Sequence, residues 1–268
     1  MAEHAIAEKL LYRLIKRHIA GTTMDSAIAK AKELNGKRMH VSLAFLSGDA
    51  LDTTKARYAT TTYLELIRSI SRLGLKASVQ VPLGQIGYTI SSGIAEKNVN
   101  EILGTANKHG VFVWLDVRNH RFELPGFLDG AKGIGYAVDL GKAEEYMKVN
   151  KGSIRAVKAL CNEVHNDRES INSAFVRLRR IATGVSSMVV QSAPDGVMRK
   201  LLNGSGAAKR TVFELQLGYK SKIANRLIRR GSSISVYVPF GKDWQQYARS
   251  TVPERYARFL AKNILNEA

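Results

Sequence analysis

Ile234-Ser235-Val236-Tyr237-Val238-Pro239-Phe240-Gly241-Lys242-Asp243-Trp244 carries the plainest strand signal in the chain. Its first seven residues are almost continuously apolar and β-branched or aromatic, as expected of a strand covered on both faces. Gly241 stops the run, and Trp244 opens a helical pattern. Working outward from this stretch, the same character recurs at Met39–Leu46, Lys76–Val81, Val111–Val117, Ile134–Leu140, Ser153–Leu160, Ser187–Ser192 and Thr211–Leu217. With the opening stretch this makes eight, the number a closed parallel barrel requires.

Amphipathic stretches separate the runs: Thr54–Leu73, Ala95–Lys108, Ala143–Asn150, Arg168–Thr183, Gly196–Leu202 and Lys220–Arg230. Between the third and fourth runs, residues 118–133 carry Pro125, Gly126, Gly130 and Gly133, and predict a loop or one short turn. Two helices precede the barrel, Ala5–Arg17 and Met24–Leu34, the second announced by Gly21-Thr22-Thr23 with Asp25 in its first turn. A last helix, Trp244–Asn266, is expected over the barrel mouth. The reading is α/β: one (βα)8 TIM-like barrel domain over 1–268, with N-terminal helices in 1–36, the barrel in 37–241 and the C-terminal helix in 242–268.

Hydrophobic residues make up 45% and charged residues 24%, which excludes a disordered chain. Cys161 stands alone, so no internal disulfide forms and no multi-thiolate metal site exists. The six histidines show no paired ligand spacing, and no metal is expected. Apolar runs are too short to span a bilayer, and Glu3, His4 and Glu8 do not suit a signal peptide. These features predict a cytoplasmic protein. Lys and Arg outnumber Asp and Glu by 41 to 23, a net charge of +18. Such a field attracts nucleic acid, an anionic membrane surface or acidic substrates, or else reflects a general basic bias. The basic first helix, with Ile6, Leu10, Leu14 and Ile15 on one side, either packs on the barrel or lies peripherally on a membrane.

Phe213-Glu214-Leu215-Gln216-Leu217-Gly218-Tyr219 resembles the Phe-Glu-x-Gln strand of the proline dehydrogenase family. Ser235–Trp244 is similar to that family's Val-x-Val-Tyr-Val-Pro-Tyr-Gly-x-x-Trp strand, with Tyr247 and Glu254-Arg255 at further family positions. Ile154-Arg155-Ala156-Val157-Lys158-Ala159 and Leu115-Asp116 are weaker echoes. The resemblance implies FAD at the C-terminal strand ends, oxidation of L-proline or a related imino or amino acid by hydride transfer, and a quinone or other electron acceptor. It implies catalytic roles for Lys158 and Asp116, and cofactor contacts for Lys158, Glu214 and Gln216. Tyr247, Arg249, Glu254 and Arg255 become the substrate-side candidates. Read from the residues alone, Lys158 either contacts a ligand or forms an ion pair with Glu214 or Asp116, since a strand lysine is seldom buried without a partner. Asp116 either serves the barrel mouth or caps a neighbouring loop or helix.

The sequence also departs from the family. Ser250 and Thr251 stand where the family's carboxylate-binding arginine pair belongs, and Ser78-Val79-Gln80 replaces Ser-x-Lys. Leu46-Ser47-Gly48 replaces Leu-Gly-Glu, Gly141 or Lys142 replaces an arginine, Gln191-Ser192-Ala193 replaces Ala-Thr-His, and Arg118 replaces a glutamate. Losing a buried carboxylate's charged partners costs about 2–5 kcal/mol, so the substrate side is read as more eroded than the cofactor side. The alternative is a barrel without catalysis that binds nucleic acid or a ribonucleoprotein through its basic surface.

Overall fold

The apolar runs form eight parallel strands: β1 (His40–Phe45), β2 (Ala77–Pro82), β3 (Val113–Asp116), β4 (Ile134–Asp139), β5 (Ala156–Leu160), β6 (Ser187–Gln191), β7 (Thr211–Gln216) and β8 (Ile234–Phe240). Each pairs with its sequence neighbour, and β8 returns to β1, closing the barrel. The computed structural model describes residues 11–13, 15–118, 126–128, 133–150, 154–203, 211–219, 226–227 and 233–251, with side chains left aside at 127 and 249–251.

Outside the strands lie α1 (Met24–Gly36), α2 (Thr53–Arg72), α3 (Ser92–His109), α4 (Leu140–Val149), α5 (Arg168–Gly184), α6 (Asp195–Asn203) and α7 (Trp244–Thr251). Local chemistry sets their starts. Thr23, Asp52, Ser91 and Asp167 each accept a hydrogen bond from the third residue onward, satisfying an otherwise unpaired backbone N–H. The Ser91 cap starts α3 a turn earlier than its apolar pattern predicts. α3 stops at Gly110, whose φ of 67° suits glycine. A short 3-10 turn at Leu83–Ile86 follows β2 and was not expected; another at Gly126–Leu128 is the short turn expected between β3 and β4. The predicted helix at 220–230 lies almost wholly outside the described residues, as do residues before 11 and after 251.

Side chains alternate along each strand, and the two faces differ in kind. The outward set, among them Leu43, Val79, Leu115, Val138, Val190, Phe213 and Val238, forms one large apolar core with the helices. The inward set is apolar only at the N-terminal end, where Trp114, Ala156 and Val189 pack with Phe112 and Val212. Above that plug the interior turns polar. At the opposite end, Ile15 and Ile19 pack against Trp244 and Ala248, and Tyr12 meets Trp244 edge-on with ring centroids 5.2 Å apart. The described part of the first predicted helix therefore packs on α7. No helix among the described residues is long and apolar enough to cross a membrane.

Gly135 on β4 faces the plug: a Cβ there would overlap the Trp114 ring and press on Ala156. Gly104, exposed within α3, has nothing near its Cβ position. Gly135→Ala is expected to destabilise by about 1–3 kcal/mol, whereas Gly104→Ala is expected to stabilise by about 0.5–1 kcal/mol. Urea denaturation of both variants checks the contrast.

Candidate functional site at the barrel mouth

Lys158 projects from β5 into the middle of the barrel with no exposed surface. Its ammonium donates to Ser42 Oγ at 2.9 Å, Gln80 Oε1 at 3.0 Å and Glu214 Oε1 at 2.8 Å. Those three acceptors match the three donors a lysine has. The Trp114 ring closes the remaining side, its centroid 5.1 Å from Nζ. Burial pushes the Lys158 ammonium below the ordinary lysine value, with Glu214 opposing the shift. Glu214 on β7 takes a second hydrogen bond from Ser235 Oγ at 2.9 Å. The ion-pair reading of Lys158 thus holds, with Glu214 as its partner.

The network continues upward through Gln80. Its amide nitrogen donates to Asp116 Oδ2 at 3.0 Å, so one side chain links the central pair to the strand ends. Asp116 in turn accepts Arg118 Nε at 2.9 Å and Nη2 at 2.6 Å, as well as the Arg118 backbone N–H at 3.3 Å. Burial alone would lower the Arg118 pKa, but Asp116's hydrogen bonds and charge more than reverse it, and the net shift is upward. Asp116 borders the mouth and also caps the start of the following loop through the Arg118 backbone N–H, so both expected placements are met at one residue.

Above this layer the C-terminal strand ends enclose a cavity of about 710 Å³, within the roughly 300–1,000 Å³ usual for small-molecule sites. Leu160, Gln191, Gln216, Tyr237, Tyr247 and Arg118 are among its walls. A second cavity of about 400 Å³ shares Arg118, Tyr237 and Tyr247 with the first, and adds Asp49, Asp139 and Asp243. Lys158 and Glu214 lie one inward-facing step below Leu160 and Gln216, so they form the layer beneath the larger cavity. Asp116 borders the smaller one. Tyr247 on α7 lies with its ring centroid 6.4 Å from that of Tyr237. The Arg249 side chain, Glu254 and Arg255 lie outside the described residues.

Three features of the wall were not singled out by sequence reasoning as functional. Gln191 on β6 is buried, and its Oε1 has no hydrogen-bond partner among the described residues. A buried polar group left unpaired costs about 1–3 kcal/mol, so an acceptor in a cavity wall calls for a donor from a ligand or water. Ser192 adopts a left-handed backbone (φ 58°), uncommon for a non-glycine residue, and accepts from Gln216 Nε2 at 3.1 Å. Asp139, half-buried at the end of β4, has its pKa raised by burial against the pull of Arg118. The signal for Gln191 was a polar residue closing an apolar strand.

These observations bear on FAD, the cofactor the resemblance implies. The cavity is large enough for a flat ring, and Gln191 Oε1 offers an unused acceptor of the kind a ring N–H requires. Gln216, Tyr237 and Arg118 add polar and aromatic surface. The residues present fit the group, with the contacts drawn from this wall and with Lys158 and Glu214 in the layer beneath it.

Loss of either member of the central pair leaves the other charge stranded. Lys158→Met and Glu214→Leu are each expected to cost about 3–5 kcal/mol, and the two together substantially less than the single losses combined. Thermal and urea denaturation of the two single variants and the double variant measure this.

No family model matches the chain. Proline dehydrogenase 1 of Bacillus subtilis (strain 168) is 22% identical over 274 residues, covering 94% of this chain and 91% of that protein. The proline dehydrogenase of Deinococcus radiodurans is 22% identical over 288 residues, covering 97% and 93%. Among solved structures, proline utilization A from Bdellovibrio bacteriovorus, inactivated by N-propargylglycine, superposes with a TM-score of 0.68 at 14% identity. That match covers 97% of this chain but 34% of the longer protein, and it supports the barrel fold. Neither the fold nor these relatives support a nucleic-acid-binding role. Relatedness along nearly the whole chain, on the same closed barrel, makes this protein a distant relative of the proline dehydrogenase family.

Proposed function

We propose that this chain is an FAD-dependent oxidoreductase that oxidises L-proline or a related imino or amino acid at the mouth of its barrel. The observation that carries the reading is a cavity of about 710 Å³ at the C-terminal strand ends, with the unpaired Gln191 Oε1 in its wall. In a barrel of this kind the C-terminal strand ends are where reacting groups gather. The relatedness to proline dehydrogenases supplies the reaction class.

FAD would supply the hydride acceptor, which no side chain can replace. The chain's own residues would do the rest. Gln191 would accept a ring N–H, while Gln216 and Tyr237 would border the ring. Lys158 and Glu214 would act from below as a rigid, charge-paired floor. Their hydrogen bonds are complete within the protein, so this floor would hold its position while water leaves the cavity above. Tyr247, which borders both cavities, would be a substrate-side candidate, with Arg249, Glu254 and Arg255 further along the chain as the others. Asp139, whose pKa burial raises, borders the smaller cavity and would be the candidate for proton exchange with the substrate. Electrons would pass on to a quinone or similar acceptor, in a cytoplasmic setting.

Three measurements test the reading. The protein saturated with FAD should retain about one flavin per chain after gel filtration, and anaerobic L-proline should bleach the flavin absorbance. Gln191→Leu should weaken FAD binding by roughly 5- to 100-fold, the penalty for losing one buried hydrogen bond. A colourless protein that FAD cannot reconstitute ends the proposal.

A further inference from the structure

We propose that Arg118 is the carboxylate anchor of this cavity, held in place by Asp116 to receive the anionic end of a small ligand. The proposal deepens the function proposed above and rests on it in one respect, that the ligand enters this same cavity. Among the described residues, Arg118 is the one cation in the wall of the larger cavity, and it also borders the smaller one. The other cation of the barrel interior, Lys158, has no exposed surface and has all three donors occupied. Gln80, on the neighbouring strand, is uncharged and is already committed to Lys158 and Asp116. An incoming carboxylate therefore meets a single described guanidinium.

The way Arg118 is held supports this assignment. A guanidinium is a planar fork with five N–H donors, enough to engage two carboxylates along different edges. Asp116 takes the edge formed by Nε and Nη2. Nη1 takes no part in that pairing, which leaves a second edge for another carboxylate. Asp116 itself is in a different position. Its two oxygens also accept the Gln80 amide and the Arg118 backbone N–H, so the carboxylate is consumed by its own scaffold. Its effect is to fix the rotamer of a long side chain before the ligand arrives, which lowers the ordering cost of binding. Asp139 adds negative potential from the end of β4. Selectivity for an anion must therefore come from directed N–H groups rather than from the general field.

The test uses two probes of nearly the same shape, the anionic cyclopentanecarboxylate and the neutral cyclopentanecarboxamide, titrated calorimetrically into the full chain without and with added FAD. Wild-type protein should bind the carboxylate at least tenfold more tightly than the carboxamide. Arg118→Gln should weaken carboxylate binding by about 30-fold or more while leaving carboxamide binding within about twofold. Arg118→Lys should recover part of the loss, since it restores the charge without the fork. Asp116→Asn should weaken carboxylate binding less than Arg118→Gln does. Equal binding of the two probes to wild type overturns the anchor, and so does a preference that survives Arg118→Gln. Should Arg118→Gln fail to fold, the wild-type comparison still decides. Carboxylate binding through Arg118 in a protein whose flavin L-proline never bleaches would keep the anchor and remove the oxidoreductase reading. Proline-dependent bleaching that is indifferent to Arg118 would do the reverse.

Discussion

A lysine ammonium with no exposed surface at the centre of a barrel constrains everything around it. Taking the charges of an ion pair out of water costs several kcal/mol per ion, recovered only when the geometry is good and every remaining donor and acceptor is satisfied. Lys158 meets that condition by drawing one acceptor from each of three strands: Ser42 from β1, Gln80 from β2 and Glu214 from β7. None of the three can become apolar without leaving a donor unpaired. Glu214 then needs Ser235, and Gln80 reaches Asp116. One buried charge thus dictates residue types on most of the strands, and its hydrogen bonds run unbroken from the barrel centre to the guanidinium at the mouth.

This arrangement separates stability from chemistry. Many barrels fill their interior with layers of branched aliphatic residues. Here the aliphatic layers lie outside, between the strands and the helices, and the interior keeps a small apolar plug around Trp114. The plug excludes water from below and leaves the middle layer in a low-dielectric setting, where its hydrogen bonds are strongest. The upper layer, with Gln191, Gln216, Tyr237 and Arg118, borders the cavity instead of the apolar core.

How much of this was legible in the sequence depends on the range of the interaction. Strands buried on both faces announce themselves as continuous apolar runs, so all eight could be read from local pattern. Helix starts at Thr23, Asp52, Ser91 and Asp167 depend on a side chain and an amide three residues on, which is also local. Lys158 stood out because it interrupts an apolar run, but its partner lies 56 residues away on a strand that is not its neighbour. Local pattern left Glu214 and Asp116 as alternatives, and barrel closure decided between them. Asp139 was missed for a related reason, and Gln191 was read only as a departure from the family pattern. A polar residue at a strand end reads as a boundary, and only the convergence of eight strand ends makes it part of a wall.

The departures from the family pattern acquire a physical logic on this scaffold. A lysine in place of Gln80 would bring a second ammonium to within reach of the Lys158 nitrogen, which Gln80 Oε1 now approaches at 3.0 Å. Two buried cations so placed repel, and one would have to give up its proton. With an amide at 80, the Asp116 carboxylate lacks a charged partner from β2, and the guanidinium of Arg118 supplies one from two residues beyond the end of β3. Gln80 and Arg118 therefore belong together as one rearrangement of charge. Because the strand ends converge on one mouth, such a rearrangement can shift its positive charge between neighbouring strand ends through side chains alone. What limits it is the layer below, since Arg118 keeps its orientation only while Asp116, Gln80 and Lys158 remain joined.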